Sequence, residues 1–405
     1  MKDRTREIYR RNLTEIKKIF SGLSAFERET FTEESYRRII ENEIINEDCL
    51  SAAEMKELVD LIYARTRSRL GILMYLVDDP EINEIMINGT DNVFVETKNG
   101  ISKVRSDFDS RGELEEIIRN IAASCRREIN EMNPILDARL ENGSRVNAVY
   151  RNVAYGGPVL TIRKFSDERI TIGRMVEEGT LTEECRDMLK CLVESGYNIL
   201  ISGGTSSGKT TFLNALTDFI PKRERVIVIE DSRELMLGNI EDLVQMECHT
   251  ANSQGNGEVT MDMLIRTSLR MRPDRIIVGE VRGREVAMML QAMNTGHDGS
   301  ITTGHGNSAE GMLRRLEAMY LMSEEIPLEA VRAQILEGID ICVHLTRMSD
   351  GSRRVTEVSE LTGYKDGEYI LNKLFGLDRN MQLIRKGNGL INREKMELRG
   401  QHGGL

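Results

Sequence analysis

Tyr197-Asn198-Ile199-Leu200-Ile201-Ser202-Gly203-Gly204-Thr205-Ser206-Ser207-Gly208-Lys209-Thr210-Thr211-Phe212-Leu213-Asn214-Ala215-Leu216 decides how this 405-residue chain is read. An apolar run enters G-x-x-x-x-G-K-T and a helix-forming run leaves it, the strand–loop–helix context of a phosphate-binding P-loop. The glycines let backbone N–H groups close around phosphate oxygens at a positive helix terminus. Lys209 adds a point charge for the β- and γ-phosphates, and the Thr210 hydroxyl is a ligand for Mg²⁺. The candidate nucleotide-binding set is Gly203, Gly204, Thr205, Ser206, Ser207, Gly208, Lys209, Thr210 and Thr211. ATP and Mg²⁺ are the substrate and cofactor this pattern implies.

Hydrolysis needs more than a cradle: a carboxylate must orient or deprotonate water. Two acidic positions follow apolar runs, at the strand ends where ligands bind in open α/β sheets. Glu230-Asp231 follows Val226-Ile227-Val228-Ile229, and Glu280 follows Ile276-Ile277-Val278-Gly279. A Walker B strand usually ends in Asp-Glu, but Gly279 stands in place of that Asp. Glu280 therefore has to supply the acidic function, meeting Mg²⁺ through water, with Glu230 or Glu234 as the alternative base. The stretch Asn294-Thr295-Gly296-His297-Asp298-Gly299-Ser300-Ile301-Thr302-Thr303-Gly304-His305-Gly306 reads as a loop. In it His305 is a candidate to report the γ-phosphate state or to bridge to a neighbouring domain.

Composition removes several other chemistries. Six scattered cysteines without a C-x-x-C pair argue against a zinc knuckle or a disulfide framework, and point to reduced thiols in a cytoplasmic protein. A net charge of −11 makes the chain a poor generic binder of nucleic acid, whose affinity comes largely from phosphate neutralisation. No window resembles a membrane-spanning helix or a secretory signal. Against the acidic trend, residues 1–20 carry seven Lys or Arg. Ile8, Leu13, Ile16 and Phe20 recur there at helical spacing, so this segment reads as a solvated helix or as a basic amphipathic helix docking on lipid or a partner.

Outward from the P-loop, the pattern divides the chain. Residues 1–70 read as a helical extension, with Ser51-Ala52-Ala53-Glu54 as a capping box. Residues 71–165 mix short strands with one helix and read as a smaller α+β domain. Residues 166–175 read as the linker, 176–375 as an α/β P-loop domain with a parallel sheet, and 376–405 as a polar, partly disordered tail.

Several motifs occur in the order of a known family. The P-loop, Ile229-Glu230-Asp231, Leu269-Arg270-Met271-Arg272-Pro273-Asp274-Arg275-Ile276-Ile277-Val278-Gly279-Glu280 and Thr295-Gly296-His297-Asp298-Gly299-Ser300 resemble the Walker A, Asp box, Walker B and His box of type II/IV secretion-system ATPases. Asp137-Ala138-Arg139-Leu140, Gly143-Ser144-Arg145-Val146-Asn147-Ala148 and Leu160-Thr161-Ile162-Arg163-Lys164-Phe165 resemble the tight-adherence (Tad) pilus assembly ATPases of the CpaF type. The resemblance implies a RecA-like ATPase domain behind an N-terminal domain, and a hexameric ring with ATP between the two domains. It also implies that Glu280 is the Walker B glutamate and Glu230 the water-activating Asp-box glutamate. Arg163, Arg145 and Arg139 would reach the nucleotide from the N-terminal side.

The expected function is thus ATP hydrolysis in a cytoplasmic ring beside the inner face of the membrane. It would act on an inner-membrane platform protein to assemble a pilus, with retraction as an additional role, or to drive secretion. A nucleic-acid-translocating RecA-like ATPase is the alternative, disfavoured by the acidic balance and by the absence of Trp. A non-hydrolysing scaffold is disfavoured by the presence of Lys209, Thr210, Glu230 and Glu280.

Overall fold

Periodicity accounts for the first helices. In the computed structural model, residues 3–23, 30–45, 50–105, 108–165, 169–249, 251, 256–323, 325–387 and 389–399 are described. They fall into two compact units, Met1–Ser166 and Asp167–Leu405. The first unit begins with α1 (Asp3–Gly22), α2 (Glu33–Ile44) and α3 (Ala52–Arg67). Ser51 and Glu54 form the reciprocal capping box that opens α3. Ile8, Ile16 and Phe20 of α1 are buried in one cluster with Tyr36, Ile40, Leu58 and Ile62. Burying an apolar side chain of this size is worth about 1.5–3 kcal/mol, so this face of α1 is spent on its own bundle. The apolar half of an amphipathic lipid-docking helix is therefore already covered, while Lys17 and Lys18 face solvent.

Beyond the bundle, β1 (Ile82–Asn88), β2 (Val93–Thr97), β3 (Gly100–Val104), β4 (Ile135–Arg139), β5 (Arg145–Val149) and β6 (Val159–Arg163) form an antiparallel sheet ordered β3-β2-β1-β6-β5-β4. Alternation along the strands sends Ile85, Ile87, Val146, Ala148, Leu160 and Ile162 into one core with α4 (Arg111–Ser124). The same alternation leaves Arg139, Arg145 and Arg163 on the opposite face.

In the second unit the strand that starts the P-loop, β7 (Ile199–Gly203), is buried along its whole length. Continuous apolar runs of this kind suit strands covered on both faces. Ile199 and Ile201 enter one core, with α5 (Glu183–Glu194) and α6 (Lys209–Leu216), while Leu200 enters the other. That second core also takes α7 (Glu285–Met293), α8 (Ala309–Leu321) and α9 (Leu328–Gly338). The remaining strands are β8 (Val226–Glu230), β9 (Leu243–Glu247), β10 (Arg275–Val281), β11 (Ile301–His305), β12 (Ile341–Arg347), β13 (Arg353–Lys365), β14 (Glu368–Leu377) and β15 (Leu383–Arg385). Their order is β15-β14-β13-β12-β7-β11-β10-β8-β9. The β12-to-β9 part is parallel, and the hairpins beyond β12 are antiparallel.

Two readings change. Ile301–His305 is a strand paired in parallel with β7, not part of a loop; the β-branched run Ile301-Thr302-Thr303 outweighs its glycine neighbours. Residues 376–399, read as tail, contain the end of β14, β15 and α10 (Glu394–Leu398). Tyr197 donates its hydroxyl to Asn392 O at 2.6 Å, and Lys395 Nζ lies 2.7 Å from both Asp298 Oδ1 and Asp340 Oδ2. Polarity misled here because these polar groups pair with one another. Of the glycine-rich end, residues 399–405, read as disordered, Arg399 is ordered and donates to Glu224 Oε1 at 2.7 Å, and the rest lies outside the described residues.

Candidate nucleotide site

The P-loop turns between β7 and α6 with Ser206 at φ +57° and Gly208 at φ +90°, conformations that favour short or absent side chains. Gly203 is required by space: a Cβ there would stand 2.5 Å from both Leu345 O and Ser207 Oγ. Beneath the loop, Ser202 Oγ and His344 Nδ1 are 2.8 Å apart, joining β7 to β12. Thr210 is the second residue of α6, and Thr211 the third.

Lys209 is buried and donates to Gly204 O at 2.9 Å and to His305 Nδ1 at 3.2 Å. Nε2 of His305 lies 2.9 Å from Glu280 Oε1, and Arg282 Nη2 donates to Glu280 Oε2 at 2.8 Å. Burial pushes the Lys209 ammonium below its ordinary value; Glu280 opposes the fall and Arg282 adds to it. Burial also lowers the His305 imidazole, against Glu280 but with Lys209, Arg282 and Arg315, so the ring is neutral at pH 7. Burial would raise the Glu280 carboxyl, but the hydrogen bond and charge of Arg282, with His305 and Lys209, hold it below its usual range. Glu280 is therefore an ionised carboxylate.

Glu230 is buried, and its Oε1 accepts from the backbone N–H of Glu234 at 2.8 Å and of Leu235 at 3.0 Å. Its side chain leans on Gly279: a Cβ at that position would be 3.0 Å from Glu230 Cγ. The Gly-for-Asp change in the Walker B strand thus makes room for Glu230, and Thr303 Oγ1 donates to Gly279 O at 2.7 Å to hold the strand there.

The structure brings Lys209, His305, Glu280 and Glu230 to one end of the parallel strands. Arg282 joins them as a residue that sequence reasoning missed, two positions beyond Glu280; its signal was an arginine following the Walker B strand. In the first unit, Arg163, Arg145 and Arg139 are direct cross-strand partners on β6, β5 and β4. Arg163 is exposed, and Arg139 Nε donates to Gly143 O at 3.0 Å. Glu84 on β1 is the cross-strand partner of Arg163 on its other side.

Glu280 Oε1 and Ser207 Oγ are buried and accept or donate no hydrogen bond, the His305 contact to Oε1 being close but poorly directed. An ionised carboxylate with such an oxygen, close enough to Lys209 of the P-loop to feel its charge, fits a water-ligated Mg²⁺. Among the described residues no cluster of three acidic, His or Cys side chains could hold a metal alone. Thr210 and the nucleotide's own oxygens would then carry the ion, as Mg²⁺ sites commonly do.

This fold and site define a RecA-like P-loop nucleotide-binding protein, with an α+β unit preceding the P-loop unit. The chain belongs to the type II/IV secretion system protein family, whose model matches residues 67–389. An uncharacterized protein of Methanocaldococcus jannaschii is 43% identical over 241 residues, 58% of this chain. This chain spans 33% of that longer relative. Conjugal transfer protein TrbB of Rhizobium radiobacter is 33% identical over 301 residues, covering 73% of this chain and 89% of its own length. The solved structure of the Legionella pneumophila ATPase DotB is similar in fold, with a TM-score of 0.51, 22% identity and coverage of 73% and 80% of the two chains.

Proposed function

We propose that this protein is a Mg²⁺-dependent ATPase that works as an oligomeric, hexameric ring on the cytoplasmic face of a membrane. It drives a secretion or pilus-assembly machine through an inner-membrane platform protein. The observation that carries the reading is the contact chain Lys209–His305–Glu280 at the mouth of the P-loop. Membership of the secretion family and the likeness to TrbB support the machine-level part, and the motifs around Arg139, Arg145 and Arg163 support the tight-adherence branch. Among the described residues no helix is long and apolar enough to cross a membrane.

In this reading Lys209 and the loop N–H groups of Gly203–Thr211 hold the phosphates. Bound Mg²⁺ would neutralise charge on the β- and γ-oxygens, held by Thr210 and, through water, by Glu280. An ionised carboxylate held below its usual range is a weak proton acceptor, so Glu280 orients the attacking water. Glu230, the Asp-box glutamate, shapes the wall behind it and supports water activation. His305 senses the terminal phosphate because its hydrogen-bond partner Lys209 must turn toward that phosphate. The arginine row Arg163, Arg145 and Arg139 is the anion-binding element of the first unit.

Two measurements test this. Purified protein should hydrolyse ATP only with Mg²⁺, and Glu280→Gln should slow turnover by about 10²-fold or more, the scale of a misplaced reactant, while keeping ATP affinity within a few-fold. Unchanged turnover in Glu280→Gln would remove the assignment. Activity driven by single-stranded DNA would instead support nucleic-acid translocation.

A further inference from the structure

The P-loop has two sides. Glu280 and His305 stand on the side of β11 and β10; on the other side of β7 lies β12, followed by the hairpin into β13. Leu345 O of β12 already abuts Gly203 closely enough to exclude a Cβ. Leu345 and its partner Val355 enter the same core as α6. Two residues outward along each strand, Arg347 and Arg353 are direct cross-strand partners on that same face, and both are exposed. The hairpin therefore projects over the start of the P-loop helix.

Arg353 reaches the loop itself. Its Nε donates to Ser206 O at 3.2 Å, and its Cδ would be 3.1 Å from a Cβ placed on Gly208. No carboxylate pairs with Arg347 or Arg353 among the described residues. Asp350, the acid in the turn between them, is occupied by the N–H and hydroxyl of Ser352, at 2.8 and 2.6 Å. Two arginines facing each other across a hairpin repel, and the repulsion is relieved by an anion bound between them.

The geometry points to this hairpin as a second cationic wall of the nucleotide site, with Arg347 and Arg353 binding the α-phosphate end of a nucleoside di- or triphosphate. This rests on the ATP reading above. The reacting phosphate belongs beside Glu280 and His305. A polyphosphate lying along the loop then directs its α-phosphate toward β12 and β13. Arg353 is held in place by Ser206 O before that contact is made, which lowers the entropy lost on binding.

The test is calorimetric titration of ADP and ATP into the full-length protein and its Arg353→Ala, Arg347→Ala, Arg353→Lys and Lys209→Ala variants, with melting temperatures recorded alongside. Arg353→Ala and Arg347→Ala should each weaken ADP and ATP equally, by about tenfold, the scale of a charge-assisted hydrogen bond. In turnover assays KM should rise far more than kcat falls, because an α-phosphate contact is the same in ground and transition states. Arg353→Lys should fall between, keeping the charge but losing the Nε–Ser206 bond. Arg347 touches no P-loop backbone, so its variant reads the charge without disturbing the loop. ADP affinity within twofold of wild type in both alanine variants, with Lys209→Ala deficient, overturns the hairpin assignment and leaves the ATP reading standing. A loss confined to ATP overturns it too, placing the hairpin at the γ-phosphate. Absence of nucleotide binding in the wild type removes the ATP reading itself.

Discussion

Lys209 donates to Nδ1 of His305 at 3.2 Å, across from the P-loop helix to the end of a neighbouring strand where His305 is the register partner of Gly203. An ammonium has no lone pair, so Nδ1 must accept and the ring proton sits on Nε2, 2.9 Å from Glu280 Oε1. One imidazole thus stands between the Lys209 ammonium and the Glu280 carboxylate.

That placement predicts a titration. Burial, with Lys209, Arg282 and Arg315 and against Glu280, holds His305 below the ordinary imidazole value of about 6.5. The folded state then resists a proton that the unfolded chain accepts. Its contribution to stability is intact above about pH 6.5 and is lost progressively on acidification toward the folded value. Because Glu280 raises this pKa, Glu280→Gln should move the His305 transition further toward acid. Proton-detected histidine titration by NMR checks this, and an unmoved or upward-shifted signal would contradict the assigned contacts.

Gly279→Asp restores the usual Walker B residue and should harm the protein. The new Cβ meets Glu230 Cγ at 3.0 Å, and a second carboxylate arrives beside a buried one. A loss of about 1–3 kcal/mol is expected from overpacking alone. Pairing the change with Glu230→Ala should recover much of that loss in thermal denaturation. Equal stability of Gly279→Asp and wild type would show that Glu230 moves aside freely.

At the other end of the same strand, Arg275 is fully buried and ion-paired with Glu224, and Arg399 Nη1 adds a bond of 2.7 Å to Glu224 Oε1. Glu224→Ala strands the buried guanidinium and should cost about 3–5 kcal/mol, read by chemical denaturation. Arg399→Ala, which leaves the buried pair intact, should cost far less. Similar losses for the two would place the stability in the C-terminal contact instead.

Arg163 sits between Glu84 and Arg145 in the cross-strand row of the first unit. If this row receives an anion during the cycle, Arg163→Ala should lower ATP turnover by at least about tenfold, since transition-state arginines contribute far more than that. Melting temperature should change little, as the side chain is exposed. Wild-type turnover in the variant would remove the proposed role of Arg163.

The P-loop and Glu280 were legible because their information is local: a contiguous motif, or a carboxylate directly after an apolar run. The strand register that sets His305 beside Gly203 is not local, and glycines on either side hid the β-branched run of β11. Gly279 was visible as a departure, but its reason lies in Glu230 on another strand, 49 positions earlier in the chain. Arg353 carried no motif, and only the hairpin's overhang brings it to Ser206. Paired charge also disguised the C-terminal segment: Lys395 reads as solvent-loving but is taken up by Asp340, and Tyr197 donates to the main-chain oxygen of Asn392.

Lys395 pairs at once with Asp298, in the turn before β11, and with Asp340, just ahead of β12. Those strands are the two neighbours of β7, one ending at His305 and the other running toward the arginine hairpin. Lys395 is thereby a fastening across both flanks of the P-loop strand. Trimming the protein at residue 375, where polarity alone would invite a cut, would unpick that fastening. The damage would fall on the seating of the P-loop strand between its two neighbours.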